Sequence, residues 1–243
     1  MSELRREVVS FARRDGRLSH RHQQAWDAHH ARYLVQPDRG HRDTSISPDW
    51  VFDPAAAFGR VAPLVVEVGT GDGESILAAA QANPEQNFLA VEVYRPGLAR
   101  TIVGAADADL DNLRILAADA RALVETGLAP ESVAEMRVFF ADPWPKARHH
   151  KRRLVDARFV AAVARVLAPG GVLRLATDWA DYAEQMAAVC EASELECDHP
   201  VEGGTPARWA RRFEGRIVTR YERKGVAAGR VIRDLTFRRP TRR

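Results

Sequence analysis

From residue 63 onward, short apolar runs alternate with Ala-rich stretches in which apolar residues recur every three or four positions. LVVEVG (64–69), NFLAVEV (87–93), LRILAAD (113–119), AEMRVFFAD (134–142) and GVLRLATD (171–178) read as strands. GESILAAAQAN (73–83), RPGLARTIVGAADA (95–108), VDARFVAAVARVLAPGG (155–171) and WADYAEQMAAVCEAS (179–193) read as helices, the third closed by Gly170 and Gly171. Near-continuous apolar strands separated by helices predict βαβ units and a parallel sheet, an α/β domain over residues 61–243. Two further β-like stretches follow, GRIVTRYERKG (215–225) and GRVIRDLTFRR (229–239). Upstream, residues 1–60 predict a basic lead-in that is partly helical or mobile. There Gly16, Pro37, Gly40, Pro48 and Pro54 interrupt every candidate helix except QQAWDAHHARYL (23–34).

Size and charge narrow the picture. A chain of 243 residues, 46% hydrophobic, can bury a core without disulfides or metal. No apolar run reaches the roughly 18 residues of a membrane span. MSELRREVVSFARRDGR has no apolar signal core, so a cytoplasmic location is expected. Cys190 and Cys197 read as ordinary thiols in a reducing compartment. Net charge is +3, but unevenly spread. Residues 44–145 carry six Arg against fifteen acids, whereas residues 206–243 carry thirteen basic side chains against three acidic. An acidic middle with basic flanks suggests that the flanks meet a polyanion.

The stretch 67–73, Glu-Val-Gly-Thr-Gly-Asp-Gly, sits at a strand-to-helix turn. Dinucleotide enzymes space these glycines as G-x-G-x-x-G to seat a pyrophosphate. Here the spacing is G-x-G-x-G, and Glu67, Asp72 and Glu74 would repel a pyrophosphate. They suit a ligand bearing an amino group and a sulfonium, such as S-adenosylmethionine. Glu92, at the next strand end, is placed to accept hydrogen bonds from ribose hydroxyls. Asp119, ending the third strand, is placed to meet an adenine amino group. The ordered set of loop, Glu92, Asp119 and Asp142 resembles the Rossmann-like class I methyltransferase fold. That fold implies a seven-stranded, mostly parallel sheet with an antiparallel last strand and helices on both faces.

After the fourth strand comes Asp142-Pro143-Trp144-Pro145-Lys146, then a run whose bases and histidines are Arg148, His149, His150, Lys151, Arg152 and Arg153. Ligands of open α/β sheets bind at the carboxyl ends of the strands. A polyanionic substrate would therefore arrive here, its phosphates neutralised by Lys and Arg and a splayed base stacked on Arg. No metal site is expected, because adjacent histidines rarely chelate together.

These motifs make the resemblance specific. FARRDGRLSHRHQQAW, VEVGTGDGES, VEVYRPG, FFADPWPKARHHKRR, LRLATDWADYAEQM and TRYERKG are similar to the bacterial tRNA (guanine-N7)-methyltransferase family over residues 11–225. The resemblance implies methyl transfer from S-adenosylmethionine to the guanine at position 46, in the tRNA variable loop. It implies that Glu67, Gly69, Glu92, Asp119 and Asp142 hold the donor. It assigns Lys146, Asp178, Thr219, Arg220, Tyr221 and Glu222 to the guanine, and Arg148 to Arg153 to RNA. The stretch PARWARRFEGR (206–216) and the Arg-rich end beyond Gly225 have no assigned role.

The chemistry fits these residue types. Guanine N7 has a lone pair and no proton, so positioning and charge compensation are the main tasks. Asp142 is the expected catalytic residue, as charge compensator, proton acceptor or donor anchor. Guanine presents N1–H and N2–H₂ as adjacent donors, which Glu222 or Asp178 could accept in bidentate fashion. Tyr221 stacks on a base or sits in the core. Asp178-Trp179 also reads as a helix N-cap followed by a packed aromatic. Two other classes stay open: a methyltransferase acting on a small molecule or protein, and a non-catalytic RNA-binding protein. Oligomeric state is not legible.

Overall fold

The computed structural model describes residues 18–41, 43–199, 201–202 and 205–241. The first seventeen residues, part of the expected lead-in, lie outside them. Helix α1 (His20–Tyr33) starts at Ser19, whose side chain accepts from the backbone N–H of His22, and runs into β1 (Leu34–Val35). Helix α2 (Pro54–Phe58) has Pro at its first turn and Gly59, at φ 67°, as its C-cap. There follow β2 (Leu64–Val68), α3 (Glu74–Ala82), β3 (Asn87–Glu92), α4 (Arg95–Asp107) and β4 (Leu113–Ala117). Helix α5 (Ala120–Ala122) continues as a π-helical turn, Leu123–Gly127, before β5 (Val133–Phe139). A 3₁₀ turn, Ala147–Arg152, leads to α6 (Ala157–Val166), β6 (Leu167–Thr177), α7 (Ala180–Glu191) and β7 (Glu196–Cys197). A small hairpin, β8 (Val201–Glu202) with β9 (Thr205–Pro206), precedes α8 (Arg220–Ala227) and β10 (Arg233–Arg238). No helix among the described residues is long and apolar enough to cross a membrane.

The main sheet has the order β1-β4-β3-β2-β5-β6-β10-β7. Among the strands of this sheet β10 alone runs against the others, pairing antiparallel with β6 on one side and β7 on the other. The seven expected strands and the reversed last strand are therefore present, and β1 adds an eighth at the edge of β4. Both faces are covered, which is why strands such as LVVEV are buried throughout. On one face Val66, Val68, Leu89 and Val91 pack with Phe159, Val163, Tyr182 and Met186 of α6 and α7. On the other, Val65, Phe88, Ala90 and Ile115 pack with Ile76, Leu98, Ile102 and Tyr33. Tyr33 docks α1 on α4 by donating its hydroxyl to the Ala105 carbonyl at 3.0 Å.

Two expectations fail locally. The third helix stops at Val166, not at the glycines: Pro169 has no N–H to continue it, and Leu167 turns extended to pair with Val133. The stretch 215–225 holds no strand but α8. Thr219 caps that helix by accepting the Glu222 N–H, and Thr-x-x-Glu is a capping pattern that the apolar alternation obscured.

The unassigned stretch 206–216 covers a row of charges on the sheet. Glu67 pairs in register with Arg137, and Arg137 with Arg174. Phe213 lies over both guanidiniums, 5.1 Å from that of Arg137 and 4.0 Å from that of Arg174. Stacking lets an aromatic cover a cation at little desolvation cost.

Candidate active site

A cavity of about 540 Å³ opens where β2, β3, β4 and β5 end, within the range of ligand pockets. Gly69, Glu92, Asp119, Phe140, Asp142 and Trp144 are among its lining residues. The sheet therefore brings together four of the five residues expected to hold a donor. The glycine loop turns through left-handed backbone at Gly69 (φ 72°), Gly71 (55°) and Gly73 (80°). An added Cβ at Gly69 or Gly71 would meet nothing within 4 Å, so open space lies beside the loop. The Glu92 carboxylate accepts from the Val93 and Tyr94 N–H groups at 2.7 and 3.0 Å and from the Gly71 N–H at 2.8 Å. It thereby joins the strand end to the loop. Asp119 caps α5 by accepting the Ala122 N–H at 3.1 Å.

Glu67 is not among the cavity-lining residues. It is buried beneath the loop, where its Oε2 accepts from the Ser75 hydroxyl at 2.9 Å. Burial pushes its carboxyl up to about 7, against the pull of Arg137 and the Ser75 bond. The loop acids also differ from expectation. Asp72 pairs with Arg100 and lies 3.8 Å from Arg220, while Glu74 accepts the Arg220 backbone N–H at 2.5 Å. Their charge meets arginines of α4 and α8.

On the opposite rim, the 140–144 loop holds two non-glycine residues in left-handed backbone, Phe140 (φ 56°) and Trp144 (φ 45°). Such strain concentrates at functional sites. Asp142 follows Phe140, and desolvation raises its carboxyl above the ordinary range. Tyr221, on the first turn of α8, rests on Phe140 with ring centroids 5.4 Å apart. Burial first, then the Asp178 carboxylate, raises the Tyr221 hydroxyl, with Asp142 adding to the shift. Asp178 is buried and salt-bridged to Arg230 at 2.7 Å. It does not cap α7; Trp179 is the N-cap residue, its N–H donating to Thr177 Oγ1. α8 approaches Asp178 closely because residue 225 is glycine: a Cβ there would lie 2.8 Å from Asp178 Oδ2.

Glu222 is buried in an ion network outside the cavity wall. Arg212 donates to both its oxygens, Arg216 reaches Oε2 at 2.6 Å, and Arg216 also holds Asp234 at 2.9 Å. Nothing in the spacing of 206–216 announced these two arginines as partners of Glu222.

The basic run is split in the same way. Lys146, Arg148, Lys151 and Arg152 are exposed, and Arg152 stacks 4.9 Å over the Trp144 ring. His149 meets Trp144 edge-on at 5.9 Å, and desolvation with the surrounding cations lowers its pKa. His150 lies 3.6 Å from Asp181. Arg153, expected among the RNA contacts, is instead 2% exposed. Its guanidinium donates to Pro143 O at 2.7 Å and to Gln185 Oε1 and Asp181 Oδ2 at 2.8 Å, over the Tyr182 ring. Each of its three nitrogens donates within the protein, so it anchors the loop to α7.

A profile described as putative methyltransferase matches residues 61–235. The chain is 48% identical to the tRNA (guanine-N(7)-)-methyltransferase of a Nocardioides species, over 96% of this chain and 88% of that one. It is 42% identical to the enzyme of that name from Paenarthrobacter aurescens, over 95% and 91%. Among solved structures, the 16S rRNA methyltransferase KamB superposes with a TM-score of 0.54 at 20% identity, covering 85% of this chain and all of that one. A 16S rRNA (adenine(1408)-N(1))-methyltransferase solved with cosubstrate SAM gives 0.52 at 18%, over 82% and 94%. These likenesses place the fold among Rossmann-like class I methyltransferases.

Proposed function

Since the chain belongs to the tRNA (guanine-N(7)-)-methyltransferase family, we propose that it methylates N7 of the variable-loop guanine, position 46 of tRNA, from S-adenosylmethionine. The observation that carries this reading is the convergence at one cavity of Glu92, Asp119 and Asp142 with the exposed cations of 146–152 beside it. When bound, the donor supplies an electrophilic methyl group on a sulfonium. The cavity suits it: carboxylates at two successive strand ends match hydroxyl and amino groups, and Gly69 leaves room for close approach. Gly69, Glu92, Asp119 and Asp142 hold the donor, and buried Glu67 supports the loop through Ser75.

The protein need not remove a proton from N7. Its task is to place the base and to balance the positive charge that the base acquires. Asp142 supplies negative charge at the cavity wall. Lys146, Asp178, Thr219, Arg220 and Tyr221 hold the guanine, with Asp178 accepting from its N1–H and N2–H₂ edge. Glu222 serves this site by fixing α8 through Arg212 and Arg216, and Arg153 by fixing the 140–144 loop. Arg148, His149, His150, Lys151 and Arg152 meet the RNA backbone. A tRNA substrate also sets the chain's place in the cytoplasm.

Titration calorimetry with S-adenosylmethionine tests the donor site. One site is expected, weakened about tenfold or more in Glu92→Gln, on the scale of a lost hydrogen bond to a charged group. Absence of binding, or equal affinity in the variant, would overturn the assignment.

A further inference from the structure

We propose that Glu74 is a positioning residue that latches the substrate helix α8 to the glycine loop, coupling donor occupancy to substrate-base binding. The inference rests on the reading that α8 faces the substrate.

The first N–H groups of a helix have no intrahelical partner. In α8, Thr219 satisfies one of them, that of Glu222. Glu74, far away in the sequence, satisfies another: its Oε2 accepts the Arg220 N–H at 2.5 Å. Its Oε1 lies 4.0 Å from Arg223, and Asp72 lies 3.8 Å from the Arg220 guanidinium. An anion at a helix N-terminus is also favoured by the helix dipole. On its inner side α8 is held by Glu222 in its arginine network and by Gly225 against Asp178, whereas on its outer side Lys224 and Val226 are exposed and Tyr221 remains 49% exposed on its Phe140 contact.

Glu74 is the first residue of α3 and follows directly on Gly73. The same loop donates the Gly71 N–H to Glu92 and lines the cavity with Gly69. One short segment therefore touches the donor cavity on one side and holds Tyr221's helix on the other. A ligand that orders the loop orders α8 through Glu74. By linkage, a substrate that needs α8 in place then binds more tightly when the donor side is filled.

Amide hydrogen exchange over residues 219–227 of the full chain reads the latch directly. In the free protein, Glu74→Ala is expected to speed exchange there roughly fivefold, the equilibrium effect of one lost capping bond. Glu74→Gln, which keeps an acceptor oxygen, falls between. S-adenosylhomocysteine slows exchange in the same residues of the wild type but not of Glu74→Ala. It also tightens the binding of a tRNA transcript to the wild type only. Equal exchange in the free wild type and Glu74→Ala would overturn the latch, as would a tRNA response to S-adenosylhomocysteine that survives the substitution. Failure of the wild type to bind S-adenosylhomocysteine would count against the functional reading, and the free-protein comparison would still decide the latch.

Discussion

Two neighbouring arginines should give opposite phenotypes. Arg153 is 2% exposed and donates three hydrogen bonds at 2.7–2.8 Å, to Pro143 O, Gln185 Oε1 and Asp181 Oδ2. A hydrogen bond to a charged group contributes about 1.5–3 kcal/mol when buried. Asp181 is half exposed, so that ion pair adds about 1 kcal/mol or less. The contact with Tyr182, 4.8 Å from the guanidinium to the ring centre, adds about another. These terms overlap, so Arg153→Ala is expected to cost about 4 kcal/mol. At about 2–4 °C per kcal/mol for a domain of this size, Tm falls by about 12 °C in a calorimetric melt. Arg152, stacked on Trp144 in solvent, contributes about 0.5–1 kcal/mol to stability, and Arg152→Ala melts within about 3 °C of wild type. Its loss appears instead in tRNA binding, as weaker affinity at low salt and a log–log salt slope smaller by about one. An Arg153→Ala protein with wild-type Tm but a reduced salt slope would refute this division.

Three further outcomes follow from the same geometry. Glu67, raised to about 7 from an ordinary value near 4.5, makes folding favour its protonated form. This contribution is complete below about 4.5 and is lost as pH rises through about 7, on the order of 3 kcal/mol at 1.4 kcal/mol per unit. Urea titrations of Glu67→Gln should lack that downward component between those pH values; equal pH profiles would contradict it. Glu222→Ala unpairs Arg212 and leaves buried Arg216 with Asp234 alone, and should lower stability by about 1.5–3 kcal/mol by urea titration, with exchange in α8 rising first; a neutral substitution would contradict the network's role. Asp142→Asn should cut turnover while leaving Tm within a few degrees, because Asp142 is solvent-accessible; wild-type turnover would remove it from the chemistry.

The parallel core was legible because each strand is apolar on both faces and each helix begins with a recognisable turn. Glu92 and Asp119 were legible for a related reason: a strand end in an open α/β sheet is already an address. What sequence order concealed was which charges face inward. Arg153 follows exposed Lys151 and Arg152 with no change of composition, and only the 3₁₀ turn rotates it under the loop. Glu222 looked like one face of a strand because Ile217, Thr219 and Tyr221, all strand-favouring, fall on alternate positions with Glu222 on the opposite face. Thr219 decides for a helix, and the partners Arg212 and Arg216 arrive only through the fold. Asp72 and Glu74 read as ligand-facing because their arginines lie on α4 and α8, distant in the chain.

The central claim is tested most directly by methyl transfer from labelled S-adenosylmethionine to an unmodified tRNA transcript, followed by chemical cleavage at N7-methylguanine. The account predicts label in the tRNA and a single cut, at the variable-loop guanine. Label without that cut, or no label in tRNA from a protein that binds the donor, would contradict it.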